Sequence, residues 1–264
     1  MMDMYEYSME YPFMPDFAIA GLVLVKWLLY GVYPKIVPTP TSGLTFSQVP
    51  QQLGTDRTYL QQLATEHGYV FYIKTGSTIG ENHAYWGPPP RDDPPQPTLT
   101  IDADGDTSVT ELSFCFDARA PQFVWGAVLN TTFDVVVPIT TVGSTRTGTL
   151  ATDPALQFDS LFVRRTLFDH QGLGVVRAFA KAQAITNLST DSAATAAGKL
   201  DALRYGSILT APGVVGLRGA GQHYDGLYYV QKVVHRISRT GYEQEFTLTR
   251  EGLGSTVSTL PVAS

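Results

Sequence analysis

The sequence predicts an α+β protein that is mostly β. A small helix–helix–strand unit is expected over residues 1–92, an antiparallel β-barrel or sandwich with one helix over 93–254, and a loose tail over 255–264. Three observations lead there. Helical spacing of apolar residues is strongest before Asn82–Pro97, NHAYWGPPPRDDPPQP, whose prolines mark the boundary. Beyond it, short β-branched and aromatic runs alternate with Gly-containing turns. The clearest of these, Gly226 to Arg250 (GLYYVQKVVHRISRTGYEQEFTLTR), has the pattern of a hairpin with one dry face and one wet face.

Phe17 to Tyr33, FAIAGLVLVKWLLYGVY, is strongly apolar, and Pro15 and Pro34 bracket it as the start and stop of one helix. It is shorter than the ~20 residues of a membrane span and holds Lys26 near its middle, which favours a helix across a core or a subunit interface. The residues before it carry Asp3, Glu6, Glu10 and Asp16 with no Lys or Arg, the reverse of a signal peptide, so a chain that is cytoplasmic when made is expected. Lys35 to Pro50 reads as a Pro/Thr/Ser linker. A second helix opens at Thr55 or Asp56, either of which can cap it, and lines up Tyr59, Leu60, Leu63 and Ala64. It ends near His67, with Gly68 as a left-handed stop, and Tyr69–Ile73 follows as an apolar strand.

In the second part, strands are expected over Val109–Asp117, Phe123–Leu129, Asp134–Thr140, Ala193–Ala202 and Ser207–Leu217, with a helix in the Ala-rich run Ala178–Ile185 and a polar turn at Gly143–Gly148. In the hairpin, Arg239-Thr240-Gly241 supplies the reversal, Gly241 being free to take positive φ. Tyr242, Phe246 and Leu248 fall on one face; Glu243, Glu245, Thr247 and Thr249 fall on the other.

Composition narrows the function. Of 264 residues only 16% are charged, against roughly 25% in an average soluble domain. Either partner subunits cover part of the surface or a Thr/Ser/Gly-rich surface replaces charge. A net charge of -6 argues against a nucleic-acid binder, which needs a basic footprint. The single cysteine, Cys115, excludes a disulfide framework, and its strand-like setting LSFCFDA predicts a buried, inert thiol.

No catalytic, cofactor-binding or metal-binding residue is assigned. Asp102, Asp104 and Asp106 have the spacing of a calcium loop's first ligands, but Thr107 and Ser113 stand where that loop needs Gly and Glu, so an acidic turn is expected. His67, His83, His170, His223 and His235 show no zinc spacing. The Gly-rich Gly216–Gly221 precedes a strand rather than a helix and reads as a tight turn. Asp92-Asp93 and Glu243/Glu245 sit where solvated turns and strand faces are expected.

Three stretches carry a resemblance. GTDRTYLQQLATEHGYVFYI (residues 54–73), AYWGPP (84–89) and LDALRYGSILTAPGVVGLRGAGQHYDGLYYVQKVVHRISRTGYEQEFTLTREG (200–252), in this order, are similar to the tail-hub family of contractile phages and contractile injection systems, the phage late control D proteins and the hub part of VgrG spikes. The resemblance implies a tube-protein-like barrel and a structural, non-enzymatic baseplate subunit. It implies three copies whose barrels ring a channel, joining the inner tail tube to the central spike, with the tube protein, the spike protein and other baseplate subunits as partners. It begins past the family's first barrel, so for a ring of this chain the expectation is that either another chain supplies the missing barrels or Met1 is not the biological start. The hairpin would then supply the last strands, closing the barrel against its own edge, with its polar face toward the channel or a neighbouring subunit. Two competing functions make distinct demands. A cell-wall polysaccharide hydrolase requires a buried carboxyl of raised pKa facing another across a cleft, and a ligand-binding barrel requires a closed apolar pocket.

Overall fold

A computed structural model describes residues 2–39, 49–102, 107–130, 133–158, 163–170, 172–239 and 241–256. The chain runs β1 (Glu6–Glu10), α1 (Asp16–Val25), a 3-10 turn (Leu28–Tyr30), β2 (Val32–Ile36), β3 (Gln51–Thr55), α2 (Asp56–Glu66), β4 (Val70–Thr75), β5 (Asn82–Gly87), β6 (Gln96–Thr100), β7 (Val109–Phe116), β8 (Gln122–Asn130) and β9 (Val135–Thr140). It continues through β10 (Ala151–Pro154), α3 (Ala155–Phe158), β11 (Arg164–Leu167), α4 (Val175–Asp191), β12 (Ala194–Asp201), α5 (Ala202–Tyr205), β13 (Gly213–Arg218), β14 (Gly226–Ile237), β15 (Tyr242–Arg250) and β16 (Gly252–Ser255). The α+β, mostly β class expected from the sequence is the one observed. Two compact units form, each from three separate stretches: Met1–Pro89, Phe123–Val142 and Arg165–Thr186 in the first; Pro90–Gln122, Gly143–Arg164 and Asn187–Ser264 in the second.

In the first unit, α1 and α2 cover a three-stranded sheet of order β2-β5-β4, and Ile19, Val23, Leu24, Leu60, Leu63 and Trp86 fill the space between. Each such buried side chain contributes about 1.5–3 kcal/mol relative to exposure. Thr55 caps α2 by accepting from the Thr58 amide, and Gly68 follows its end at φ +65. Both were legible as helix punctuation. Gly68 also needs its missing side chain, because a Cβ there would lie 3.2 Å from the Ala184 backbone.

The expected helix over Phe17–Tyr33 is shorter than its apolar run. α1 ends at Val25, the 3-10 turn follows, and Gly31 reverses the chain at φ +73 into β2. The cause is a buried acceptor: Asp56 draws in Lys26 Nζ (2.8 Å) and Trp27 Nε1 (3.0 Å). Pro34 lies inside β2 instead of stopping a helix, which its edge position permits because the outer backbone edge needs no N–H. The expected linker Lys35–Pro50 opens within β2, and residues 40–48 lie outside the described residues. β1 and β3, which lack an apolar alternation, were not anticipated; they pair antiparallel with Ser8 opposite Leu53. The Pro-rich stretch likewise begins as a strand, because Asn82–Gly87 is the middle strand of the sheet.

The first unit also holds a sheet of order β11-β8-β9. Val124, Val128, Ile139 and Phe168 pack there against Ala178 and Ala182 of α4, a helix of 17 residues, longer than the Ala-rich run that announced it.

The second unit is built on a six-stranded sheet of order β6-β13-β14-β15-β12-β7. Two expectations change here. The sheet is not wholly antiparallel, since β6 pairs parallel with β13. The hairpin β14–β15 is central and closes no edge: β13 takes the outer side of β14 and β12 the outer side of β15. Further adjustments are local. β13 starts at Gly213, not Ser207, because Pro212 has no N–H for the ladder. Gly254 and Ser255 belong to β16, paired with β10, while residues 257–264 lie outside the described residues. Thr240 in the hairpin turn and residues 103–106 of the acidic turn also lie outside them.

Candidate interaction surfaces

The hairpin's two faces follow its alternation through Leu248, but Thr249, expected on the wet face, is buried. Gln244, Phe246 and Leu248 of β15 are buried, and Leu99, Leu200, Leu217, Tyr228, Val230, Phe246 and Leu248 form one core beneath the sheet. Gly198 permits this packing: a Cβ there would meet the Phe246 ring at 2.7 Å and the Glu111 carbonyl, which lies closer still. Buried Gln244 is satisfied by the backbone of Leu209, accepting from its N–H (3.1 Å) and donating to its carbonyl (2.9 Å).

The opposite face is a row of alternating charge across four strands. Glu111 of β7 pairs with Lys199 of β12 (2.9 Å), Lys199 lies opposite Glu245 of β15, and Glu245 accepts two bonds from Arg236 of β14 (2.7 and 3.0 Å). The Arg236 hydrogen bonds hold the Glu245 carboxyl below its ordinary range, outweighing desolvation. These are exposed pairs on a wet sheet face, and they give cross-strand order more than stability. Cys115 shares an exposed environment on β7, contrary to the buried thiol expected, because β7 is the edge strand and its inward residues are Val109, Leu112 and Phe114.

The buried carboxylates end on cations. Asp16 accepts from His67 Nε2 (2.8 Å) and from Arg177 Nη2 (2.8 Å). Burial pushes its carboxyl up, but His67 and Arg177 more than offset this and hold it below its ordinary 3.8. A carboxyl lowered on folding contributes stability above its unfolded value, and that contribution is lost as pH falls through the folded one. Thermal melts should therefore show a steeper acid-side fall for the native chain below about pH 4 than for Asp16→Asn, which should also melt lower at pH 7. Asp191 and Glu251 both accept from Arg91, at 2.7 and 2.9 Å.

The five histidines do not converge: His67 serves Asp16, His83 pairs with Glu81 (3.2 Å), His170 stacks near Phe168, His223 lends its carbonyl to Arg250, and His235 Nδ1 meets Tyr242 Oη (2.6 Å). Among the described residues no group of three His, Cys, Asp or Glu side chains gathers as for a metal ion. The Gly-rich stretch forms the β13–β14 loop, with Gly219 and Gly221 at positive φ and Asp225 accepting from the Ala220 amide. Among the described residues no helix is long and apolar enough to cross a membrane.

What sequence inspection did not reveal is where apolar surface stays open. Of the twenty-eight strongly exposed large hydrophobic residues described, twenty-three belong to the first unit, although the two units are nearly equal in length. They include Leu22 and Val25 on the outer flank of α1, Leu29 and Tyr30 in the turn after it, and Trp125, Leu129 and Val136 on the sheet face away from α4. The overly apolar helix and the low charged fraction were the sequence signals for this open surface.

No family model and no curated protein matches the sequence. Solved structures do match its fold. The chain is similar to a tail protein from Neisseria meningitidis (TM-score 0.61, 15% identity, 96% of this chain and 72% of that one). It is also similar to a prophage tail protein from Shewanella oneidensis (TM-score 0.58, 15% identity, 92% and 67%). A third structure is an E. coli component of the type VI secretion system, itself described as similar to T4 bacteriophage tail proteins (TM-score 0.53, 12% identity, 100% and 57%). At these identities the likeness is one of fold, and it agrees with the resemblance carried by residues 54–73, 84–89 and 200–252. The chain has the fold of phage tail proteins.

Proposed function

We propose that this protein is a structural, non-enzymatic hub subunit of a phage tail or contractile injection system baseplate, which self-associates as a trimer around a channel and joins the inner tube to the central spike. The observation that carries the reading is the likeness to two tail proteins over nearly the whole chain. The open apolar surface of the first unit supports it, since a ring subunit must bury such surface against neighbours. The filled core of the second unit and the cation-paired carboxylates favour assembly over catalysis or ligand storage. The particle is put together from chains made in the cytoplasm.

Light scattering after size exclusion tests this directly, with the purified chain alone and mixed with inner-tube and spike proteins from the same source. A mass of three copies, or a stable complex with either protein, is expected. A monomer that ignores both would sink the hub reading, and lysis of peptidoglycan by the purified chain would put the hydrolase in its place.

A further inference from the structure

We propose that residues 2–11 form an exchangeable arm, which in the self-associated protein packs on the first unit of a second copy and is replaced by that copy's arm or another's. The arm is attached at discrete points. Met2 is buried in the core cluster of α1 and α2, Asp3 accepts from Arg57 Nη1 (2.9 Å) and Thr55 Oγ1 (3.1 Å), β1 pairs with β3, and Tyr11 donates to Gln52 Oε1 (2.7 Å) while stacking on Tyr59. Between these points it lies on the outside, and all five residues of β1 are exposed. Every one of these contacts is available unchanged to the arm of another copy, which is what makes exchange of an identical element a low-cost route to association.

The hinge supplies the bias. The arm joins α1 through Pro12-Phe13-Met14-Pro15. The two prolines fix their own φ and keep Tyr11 and Met14 out of the helical region, so the reversal falls on Phe13. Phe13 takes φ +58, a left-handed conformation that a bulky side chain rarely adopts, and its ring is 65% exposed. A short hinge under strain favours opening and exchange, because an extended hinge releases Phe13 while the arm's contacts are regained on a neighbour. A cleft of about 600 Å³, lined in part by Met2, Asp3, Trp27, Tyr30 and Arg57, borders the docked arm.

The proposal rests on the self-association part of the preceding reading, and the two fail in different ways. Ser8 and Leu53 are register partners on an exposed face, at a separation a disulfide can bridge. The variant Ser8→Cys/Leu53→Cys/Cys115→Ser is concentrated under reductant, its native mass is measured, and it is then oxidised and run on a non-reducing gel. Covalent multimers as the main oxidised product are expected, with several-fold less of them when Phe13→Gly, which relaxes the hinge, is added. A native mass above one copy with only intramolecular disulfide overturns the exchange and leaves self-association standing. A monomer that oxidises within itself at every concentration overturns both. No disulfide in either form also overturns the exchange, since the β1–β3 ladder is then absent in both arrangements.

Discussion

Arg91→Ala should destabilise the second unit by about 3–5 kcal/mol, the cost of removing one partner from a buried ion pair. Arg91 sits at the beginning of that unit with its side chain 2% exposed. One guanidinium nitrogen donates to Glu251 Oε2 and another to Asp191 Oδ1. Glu251 in turn accepts the amides of Leu150 and Ala151 at the start of β10, while Arg146 closes the group by donating to Asp191 Oδ2 (2.7 Å). Three stretches distant in sequence are tied by this one cluster. Without Arg91, Glu251 keeps two amide donors but loses its cation in a site with little water, so the free energy lost is mostly that of a stranded charge. Urea denaturation should show an earlier midpoint, with Arg91→Lys falling between native and Ala because Lys cannot span two carboxylates as a planar fork. An unchanged midpoint for Arg91→Ala would show the cluster to be ornamental.

Phe246→Asp should prevent the second unit from folding. Phe246 is 2% exposed in the middle of the six-stranded sheet. Truncating such an aromatic already costs about 3–5 kcal/mol, and an unpaired carboxylate in its place adds a desolvation cost of several more. The sum rivals the roughly 5–15 kcal/mol that holds a whole domain together. Lost soluble expression, or a circular dichroism spectrum without cooperative melting, is the expected readout. Glu243→Ala, three residues earlier on the wet face, should be nearly silent in the isolated chain. A clear loss of assembly with no loss of stability in that variant would place the charged face in a subunit contact.

The opposed outcomes expected at 243 and 246 follow from a pattern readable without any structure. Strand alternation has period two, so residue type assigned faces correctly from Glu243 to Leu248 but not at Thr249, which is buried, and Thr55 with Gly68 marked the ends of α2 for equally local reasons. Where residue type and burial diverge, local pattern failed. Arg250 is wholly buried, with Nε, Nη1 and Nη2 all donating to backbone carbonyls and its guanidinium over the Tyr228 ring at 4.4 Å, and nothing in FTLTR announces this. Burial lowers the Arg250 pKa and pushes the Tyr228 hydroxyl up to about 12. Cys115 failed in the other direction, since an apolar-looking strand turned out to lie at a sheet edge.

The mostly β class, the hairpin and most of its facing, the second helix with its caps, and a likeness to tail-hub proteins carried by three ordered stretches are all written into local sequence. All of these depend on residues close together in the chain, where spacing and turn chemistry act directly. Long-range packing instead set the hairpin at the centre of its sheet, tied the residues after Val25 to Asp56, and left the open apolar residues mostly in one unit. Those outcomes turn on partners tens to hundreds of residues away, such as Asp56 for Lys26 and Glu251 for Arg91. Strand order and buried charge pairing are long-range choices, and the local periodicity that names a strand says nothing about which neighbour it will take.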